Sequence, residues 1–244
     1  MNPRVSVVIP AHLEGERIGT CLDRIFEAVT LPTEVVVVWD APEDPTAAAV
    51  GAYPVGEPRL RGICNHPQRG PAAAIRRGIQ EARADVVVVT MADGSDDPQQ
   101  IDPLARLVER GVVIAAASRY MRGGQQVGGP RLKGWMSRLA GVSLHLVGRV
   151  GTHDATNSFK AYRRAFLLEA QVESDAGFEM GLEMVAKARR LRRPVAELPT
   201  IWLDRAGGQS HFQVRAWIPR YLHWYWYALR PVRSPRRRSR RGRP

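Results

Sequence analysis

Two periods of apolar residues alternate along the first half of the chain. Val5–Pro10, Val35–Trp39, Val86–Thr90 and Val112–Ala117 are short runs rich in β-branched side chains, the pattern of strands covered on both faces. Between them, Glu16–Val29, Pro71–Ala84 and Asp97–Arg110 carry apolar residues at helical spacing. Pro71 and Pro98 stand where a first helical turn tolerates proline. Arg59–Asn65 adds a further candidate strand. The alternation predicts an α/β fold, a mostly parallel sheet flanked by helices and joined by right-handed crossovers. Such sheets bind ligands at the carboxyl ends of their strands, so the residues that follow each strand are the candidates for chemistry.

Beyond residue 117 the pattern changes. Arg131–Val150 places Leu132, Trp135, Met136, Leu139, Val142 and Leu146 at helical spacing with Lys133, Arg138 and Arg149 among them. Phe178–Leu191 reads as a helix and Val195–Trp202 as a strand returning to the sheet. Gln213–Leu229 concentrates Trp217, Tyr221, Trp224, Tyr225, Trp226 and Tyr227, and Pro219 predicts that a helix there starts near it or kinks.

The chain has 244 residues and a net charge of +12. Eight arginines and no acidic residue fall in 230–244, leaving +4 on the remainder. The basic character therefore describes a tail, expected to be disordered, and not a nucleic-acid-binding face. Two cysteines, Cys21 and Cys64, are too few for a disulfide framework; both are expected reduced and buried, in a cytosolic protein. MNPRVSVVIP lacks the features of a signal peptide. No run reaches the ~18–20 apolar residues of a membrane span.

The strand ends carry a consistent chemistry. Pro10-Ala11-His12-Leu13-Glu14 follows the first strand, Asp40 with Glu43 and Asp44 the second, Met91-Ala92-Asp93-Gly94-Ser95-Asp96-Asp97 the fourth, and Ser118-Arg119-Tyr120 the fifth. Carboxylates suit a base, ribose hydroxyls and a hard divalent cation, and arginine suits a phosphate, so the set fits a nucleotide diphosphate. Structural roles compete: Asp40 as a turn residue before Pro42, Asp96 or Asp97 as a helix cap, His12 as a satisfied loop histidine. Gln68-Arg69-Gly70-Pro71 forms a candidate phosphate or ribose loop.

Taken together, these segments resemble a family 2 glycosyltransferase of the GT-A fold, in its dolichol-phosphate mannosyltransferase and bacterial polyprenyl-phosphate branch. The resemblance rests on Ser6-Val-Val-Ile-Pro10 through Glu14, Glu34-Val-Val-Val-Val-Trp-Asp40 through Asp44, and Arg69-Gly-Pro-Ala-Ala-Ala-Ile-Arg76. Ala117-Ser-Arg-Tyr120 with Gly123-Gly124, Asp154 to Ser158-Phe-Lys-Ala-Tyr-Arg163, Gly177-Phe-Glu179 and Asp204-Arg-Ala-Gly-Gly-Gln-Ser210 are closer to that branch. It runs in order over roughly residues 4–212.

The resemblance implies a Rossmann-like GT-A domain over 1–212; the sequence itself adds an aromatic, amphipathic interfacial segment over 213–229 and the tail over 230–244. The resemblance also implies that Glu14 and Asp40 hold the base and ribose, with Pro10, His12, Arg69, Ala92 and Asp93 in the same nucleotide site. Asp93, with Ser95, would hold Mg²⁺ or Mn²⁺; Arg119 and Arg205 would clamp phosphates; Lys133 and Ser137, with Arg119, would receive the acceptor phosphate. Asp93, Arg119 and Arg205 form the implied catalytic set. Two departures bear on this. Met91 stands where the family's Asp-x-Asp begins, and Trp39 replaces the first of two aspartates after the second strand.

The implied reaction is inverting transfer of a sugar, mannose from GDP-mannose favoured, to a polyprenyl or dolichyl phosphate on the cytoplasmic face of a membrane. The aromatic segment and arginine tail suit an anionic surface, and a separate membrane partner protein enters as a candidate. Two alternatives are a transferase using a UDP-sugar and a hydroxyl acceptor, for which Glu179 could be the base, and a degenerate, membrane-associated homologue.

Overall fold

The valine runs form the centre of a seven-stranded sheet in which they are buried on both faces. The computed structural model describes residues 2–53, 57–175, 177–204 and 214–231. Strands β1 (Val5–Ala11), β2 (Thr33–Trp39), β3 (Leu60–Cys64), β4 (Val86–Val89), β5 (Ile114–Ser118), β7 (Lys160–Arg163) and β8 (Val195–Pro199) lie in the order β3-β2-β1-β4-β7-β5-β8. Every residue of β1, β2 and β4 is buried, which is why these strands read as continuous apolar runs. Neighbours pair in parallel, except that β7 runs antiparallel between β4 and β5, with Val89 and Ala116 both opposite Lys160.

Alternate strand residues feed two cores. Val5, Val7 and Ile9 join Val35, Val37, Val86 and Val88 against helices α1 (Arg17–Ala28) and α4 (Ile101–Glu109). On the other face, Val8, Val87 and Val89 meet α3 (Pro71–Glu81), α6 (Arg164–Ala170), α7 (Met180–Arg190) and α8 (Val214–Leu229). Gly78 lets α3 approach β1: a Cβ there would stand 2.3 Å from Val8 Cγ1. A short helix α2 (Pro45–Ala52) and a second sheet, β6 (Gln125–Val127) beside β9 (Ile201–Leu203), complete the named elements.

Some expected elements differ. The stretch 195–202 divides at Thr200 into β8 of the main sheet and β9 of the small one; Pro199 has no amide to extend the ladder. Arg131–Val150 is an α-helix, α5 (Arg131–Ser143), followed by a π-helical turn (Leu144–Gly148) that ends at Arg149 with φ +50°. Helix α8 starts at Val214 and runs through Pro219, so proline does not set its start. Cys21 is buried, but Cys64, expected to be buried, is exposed on edge strand β3.

The aromatics of α8 divide between the domain and solvent. Trp224 is buried, edge-on to Tyr227, with Lys187 Nζ 5.3 Å from its ring centre. Tyr221, Tyr225 and Tyr227 pack partly on the same core, while Leu222 and Trp226 are exposed. The larger exposed apolar face belongs to α5 and the π turn: Leu132, Trp135, Met136, Leu139, Leu146 and Val147. No helix among the described residues is long and apolar enough to cross a membrane. The tail beyond Pro231 lies outside the described residues.

Candidate active site

Because β1, β2, β4 and β5 are parallel, their carboxyl ends open on one edge of the sheet. The strand order reverses between β1 and β4, the place where open sheets form a ligand crevice. The loops bearing Glu14 and Asp93 therefore flank that crevice. The first is built by α2: Asp44 accepts from Thr46 N (2.8 Å) and Leu13 N (3.0 Å), and Thr46 Oγ1 accepts from Glu14 N (3.1 Å). Burial works against the Asp44 carboxylate, but the bonds from Thr46 and Leu13 outweigh it and hold its pKa below the usual value. Leu13 is thereby kept at φ +55°. Pro10 lies on β1 and is buried; His12 is exposed, its Nδ1 3.9 Å from Asp44 Oδ2.

Asp40 does not act as a local cap. Its Oδ2 accepts from Gly70 N at 2.8 Å, tying the end of β2 to the loop that carries Arg69 and opens α3. Trp39, the neighbouring departure from the family pattern, is buried with its ring against Gly62. It packs beneath α2 as a core residue.

The loop after β4 is folded by its own acidic residues. Asp96 is buried and accepts from Thr90 Oγ1 (2.9 Å) and Met91 N (3.2 Å). Burial pushes its carboxyl up to about 6, against the hydrogen bond from Thr90. Asp97 accepts from Gln99 N (3.1 Å) and caps the turn leading into α4. Asp93 Oδ1 accepts from Ser95 N (3.0 Å) and Ser95 Oγ (2.7 Å), with Gly94 between them at φ +68°. Ala92 is buried beneath. Cys21 hydrogen-bonds Met91 O, and burial with the charges of Asp96, Asp93 and Glu14 pushes its thiol up to about 12. The charges of Asp96, Asp93 and Glu14, opposed by Arg24, thus all act on the Cys21 thiol.

The chemistry of this loop fits a hard cation. Asp93 Oδ1 and Ser95 Oγ, joined here by a 2.7 Å hydrogen bond, are a carboxylate and a hydroxyl oxygen, the donor types Mg²⁺ takes. One carboxylate suffices where the substrate's phosphates and water supply other oxygens. Leu203 N donates to Ser95 O, so the chain leading to Arg205 departs from beside this loop. Arg205 itself lies outside the described residues.

Across the crevice, antiparallel β7 brings residues 152–160 to the same edge. Asp154, fully buried, takes Arg119 as a fork: Nε to Oδ2 at 2.7 Å, Nη2 to Oδ1 at 3.0 Å, and the Arg119 amide to Oδ2 at 3.0 Å. Burial opposes the guanidinium's charge, and Asp154 more than restores it, so Arg119 stays protonated. Asp154 in turn is held below its usual value by Arg119 and Lys160 despite burial. Arg119 Nη2 also reaches Ser137 Oγ at 3.3 Å, and Ser137 is 2.5 Å from Thr156 Oγ1. The structure thus joins two of the three residues expected to hold the acceptor phosphate. The side chain of Lys133 lies outside the described residues. Lys160 is buried behind the pair and donates to Ala155 O and Asn157 O.

Asp154 and Lys160 carry this arrangement, yet neither received a role from sequence. Both stand in the segment that resembled the family, and a lone aspartate after His153 gives no pairing signal of its own. Between the 119–129 loop and α5 lies an open cleft of about 480 Å³ lined by Arg119, Tyr120, Gln126, Arg131, Trp135 and Arg138 among others. Its α5 wall continues into the exposed apolar face at Leu132, Trp135, Met136 and Leu139.

Residues 6–169 match the family model described as Glycosyl transferase family 2. The chain is 30% identical over 233 residues to a dolichol-phosphate mannosyltransferase of Pyrococcus furiosus, covering 91% of this chain and 63% of the relative. It is 28% identical over 213 residues to a polyprenol monophosphomannose synthase of Mycolicibacterium smegmatis, covering 85% of this chain and 80% of the relative. Among solved structures, the glucosyl-3-phosphoglycerate synthase of Mycobacterium tuberculosis with Mn²⁺, UDP and glucosyl-3-phosphoglycerate superposes with a TM-score of 0.69. That match has 17% identity and covers 93% of this chain and 80% of the other, a likeness of fold.

Two predictions follow the geometry of the Arg119 pair. Replacing Asp154 with Ala leaves a buried guanidinium uncompensated, and urea unfolding should show a loss of about 3–5 kcal/mol. Lys160, whose ammonium burial pushes down to about 7, carries a proton in the unfolded chain that the folded chain releases above that pH. Its contribution to stability therefore rises as pH increases from 7 toward the unfolded value. Wild type should gain stability relative to Lys160→Met between pH 7 and pH 9, measured by denaturation at both; an unchanged difference would refute the assignment.

Proposed function

Because the chain belongs to glycosyl transferase family 2, we propose that it transfers a sugar, mannose favoured, from a nucleotide donor to the phosphate of a polyprenyl phosphate at a membrane surface. The observation that carries this reading is the continuity between an anion clamp and an apolar helix face. Arg119 lines the cleft and donates to Ser137 Oγ, and Trp135 on the cleft wall begins the exposed stripe of α5. An acceptor with a charged head and a hydrocarbon tail requires that juxtaposition. The names of the two relatives, both mannosyl transferases of lipid phosphates, support it.

A phosphomonoester is largely ionised at neutral pH, its second pKa being about 6, so no side chain has to remove a proton. Arg119, fixed by Asp154, and Ser137 orient the acceptor phosphate. One phosphate oxygen bonds to the anomeric carbon as the bond to the donor's diphosphate breaks, and the nucleoside diphosphate leaves. A single displacement inverts the anomeric centre. Asp93 and Ser95 would hold Mg²⁺ or Mn²⁺, which would supply positive charge against the leaving diphosphate. Asp40 and Glu14 face the nucleoside in this reading, and Asp40 also shapes the Arg69 loop that bounds it. GDP-mannose is the donor favoured by the relatives' sugar.

The hydroxyl-acceptor alternative gains less support. Glu179, its candidate base, is 1% exposed at the start of α7 and is not among the residues lining the cleft. A cytoplasmic-face location belongs to this proposal, and α5 takes the larger part in surface contact, with Leu222 and Trp226 of α8 beside it.

Labelled GDP-mannose, polyprenyl phosphate and detergent, with Mg²⁺, Mn²⁺ or EDTA, should give labelled lipid only with metal. Asp93→Asn should lower the rate by about 10²–10³-fold, the scale of losing one charge-stabilising group. Absence of labelled lipid with GDP-mannose and with UDP-sugars would defeat the reading in favour of a degenerate homologue. The double change Met136→Glu and Leu139→Glu, at exposed positions of α5 outside the cleft lining, removes apolar side chains worth about 1.5–3 kcal/mol each when buried. Binding to anionic vesicles should fall at least tenfold while transfer in detergent persists; unaltered vesicle binding would remove α5 from the surface contact.

A further inference from the structure

A second cluster of ligating side chains lies behind the Arg119 clamp, away from the Asp93 loop. His145 is on the π-helical turn that follows α5, His153 precedes Asp154, and Glu197 is on edge strand β8. One ligating atom from each lies within 4.8 Å of the other two. The imidazoles stack with ring centres 3.6 Å apart and planes 20° apart. His153 Nδ1 is 2.5 Å from Glu197 Oε1. Glu197 Oε2 accepts from Thr152 Oγ1 (3.0 Å) and the His153 amide (2.8 Å).

Hydrogen bonding alone does not complete this group. His145 Nδ1 is buried and has no hydrogen-bond partner among the described residues, and such orphaned atoms are rare in folded proteins. The turn that carries His145 is π-helical, a rare form that is frequent at functional sites. We infer that His145, His153 and Glu197 form a site for a borderline transition-metal ion such as Zn²⁺, distinct from the hard-cation site at Asp93 and Ser95.

The donor set separates the two sites chemically. Two imidazoles and a carboxylate are a recurrent three-residue set for Zn²⁺, with a fourth position for water. Carboxylate and hydroxyl oxygens suit Mg²⁺ and Mn²⁺. Zn–N and Zn–O bonds of about 2.0–2.2 Å place tetrahedral ligand atoms roughly 3.4 Å apart. Binding therefore turns the stacked rings so that their nitrogen lone pairs converge, and opens the His153–Glu197 contact by about 1 Å, a ring proton on Nδ1 passing to Nε2. The bonds from Thr152 and the His153 amide to Glu197 are the outer contacts that hold a ligating carboxylate in place. The ion would tie the end of α5, the loop bearing Asp154 and strand β8 into one unit, so it would act on the clamp by positioning.

The test uses the full chain, stripped of metal and then given excess Mg²⁺ to fill the oxygen site. Co²⁺, which reports ligand field in visible absorption, and Zn²⁺ are the probes. One Co²⁺ per chain should bind with tetrahedral bands, and Zn²⁺ should raise the melting temperature and displace it. His145→Ala and Glu197→Gln should each weaken Co²⁺ binding at least tenfold with the far-ultraviolet circular dichroism retained, whereas Asp93→Asn should leave the bands in place. NMR of the histidine ring nitrogens in the unsubstituted chain should move for His145 and His153 together on adding Zn²⁺, which keeps the test decisive should a variant misfold. Absence of tetrahedral bands, unmoved ring nitrogens, or bands lost with Asp93→Asn and kept with His145→Ala would overturn the site.

Discussion

The Arg119–Asp154 pair is the interaction around which the site edge is organised. A carboxylate with no solvent exposure and a guanidinium that is nearly covered are expensive to bury unless geometry and further hydrogen bonds compensate them. Asp154 meets that condition with a forked contact and the Arg119 amide, and it also accepts from Asn157 N and Thr156 Oγ1. The pairing leaves one side of the guanidinium directed to Ser137. An arginine so held loses little freedom when a phosphate arrives, which is the advantage of a fixed fork over a flexible ammonium. This also accounts for strand β7. Were it parallel, its carboxyl end and not the approach from Asp154 would lie at this edge. Inserted antiparallel between β4 and β5, it delivers Asp154, Asn157 and Lys160 beside Arg119.

Carboxylates predominate on one side of the crevice and arginines on the other, with Arg24 donating to Gly94 O on the acidic side. The β1 and β4 side gathers Glu14, Asp93 and Asp96 around the Cys21 thiol; the β5 and α5 side presents Arg119, Arg131 and Arg138. In the proposed reaction a cation and a nucleoside would lie on the first side and an acceptor anion on the second. Met91 fits this division. The backbone of the position where the family's first aspartate stands is occupied by hydrogen bonds, its amide to Asp96 and its carbonyl to Cys21. Asp96, protonated more readily than an exposed carboxylate because it is buried, serves as the fold of the loop. Asp93 is left with Ser95 as the oxygen pair.

Legibility from sequence followed the strength of the local signal. The valine runs and the amphipathic helices α1, α3 and α4 emerged within a few residues of their ends, because burial on two faces or on one stripe leaves a direct periodicity. Helix α2, strand β6 and strand β7 carried no such signal: β7 is four residues long and begins with a lysine. Lys160 looks polar on the page and is buried in the fold, since its ammonium reaches carbonyls of its own loop. Asp40 and Asp44 were visible as strand-end acids, but their division of labour was not. One holds the Gly70 loop and the other caps α2, and each depends on a partner about 30 residues away or on a helix the periodicity did not show. The His145–His153–Glu197 group is another such case, for its members are spread over three elements and no spacing rule joins them.

The surface follows from the same economy of burial. Helix α8 spends Trp224 and Ala228 on the second core, and its tyrosines pack beside α7, so an aromatic-rich sequence becomes mainly a brace for the domain. Helix α5 does the reverse. Its small positions face the protein: Gly141 approaches so near the 153–154 backbone that a Cβ would stand 2.2 Å from His153 O. Its large apolar positions face outward. A helix that turns glycine inward and leucine, tryptophan and methionine outward leaves an apolar face exposed, the kind of patch that marks a contact surface when it is large. The same helix presents Ser137 to Arg119. Close packing of α5 against the Asp154 loop thus sets, at one contact, the position of the anion clamp and the height of the apolar face above it. A lipid phosphate would read both together.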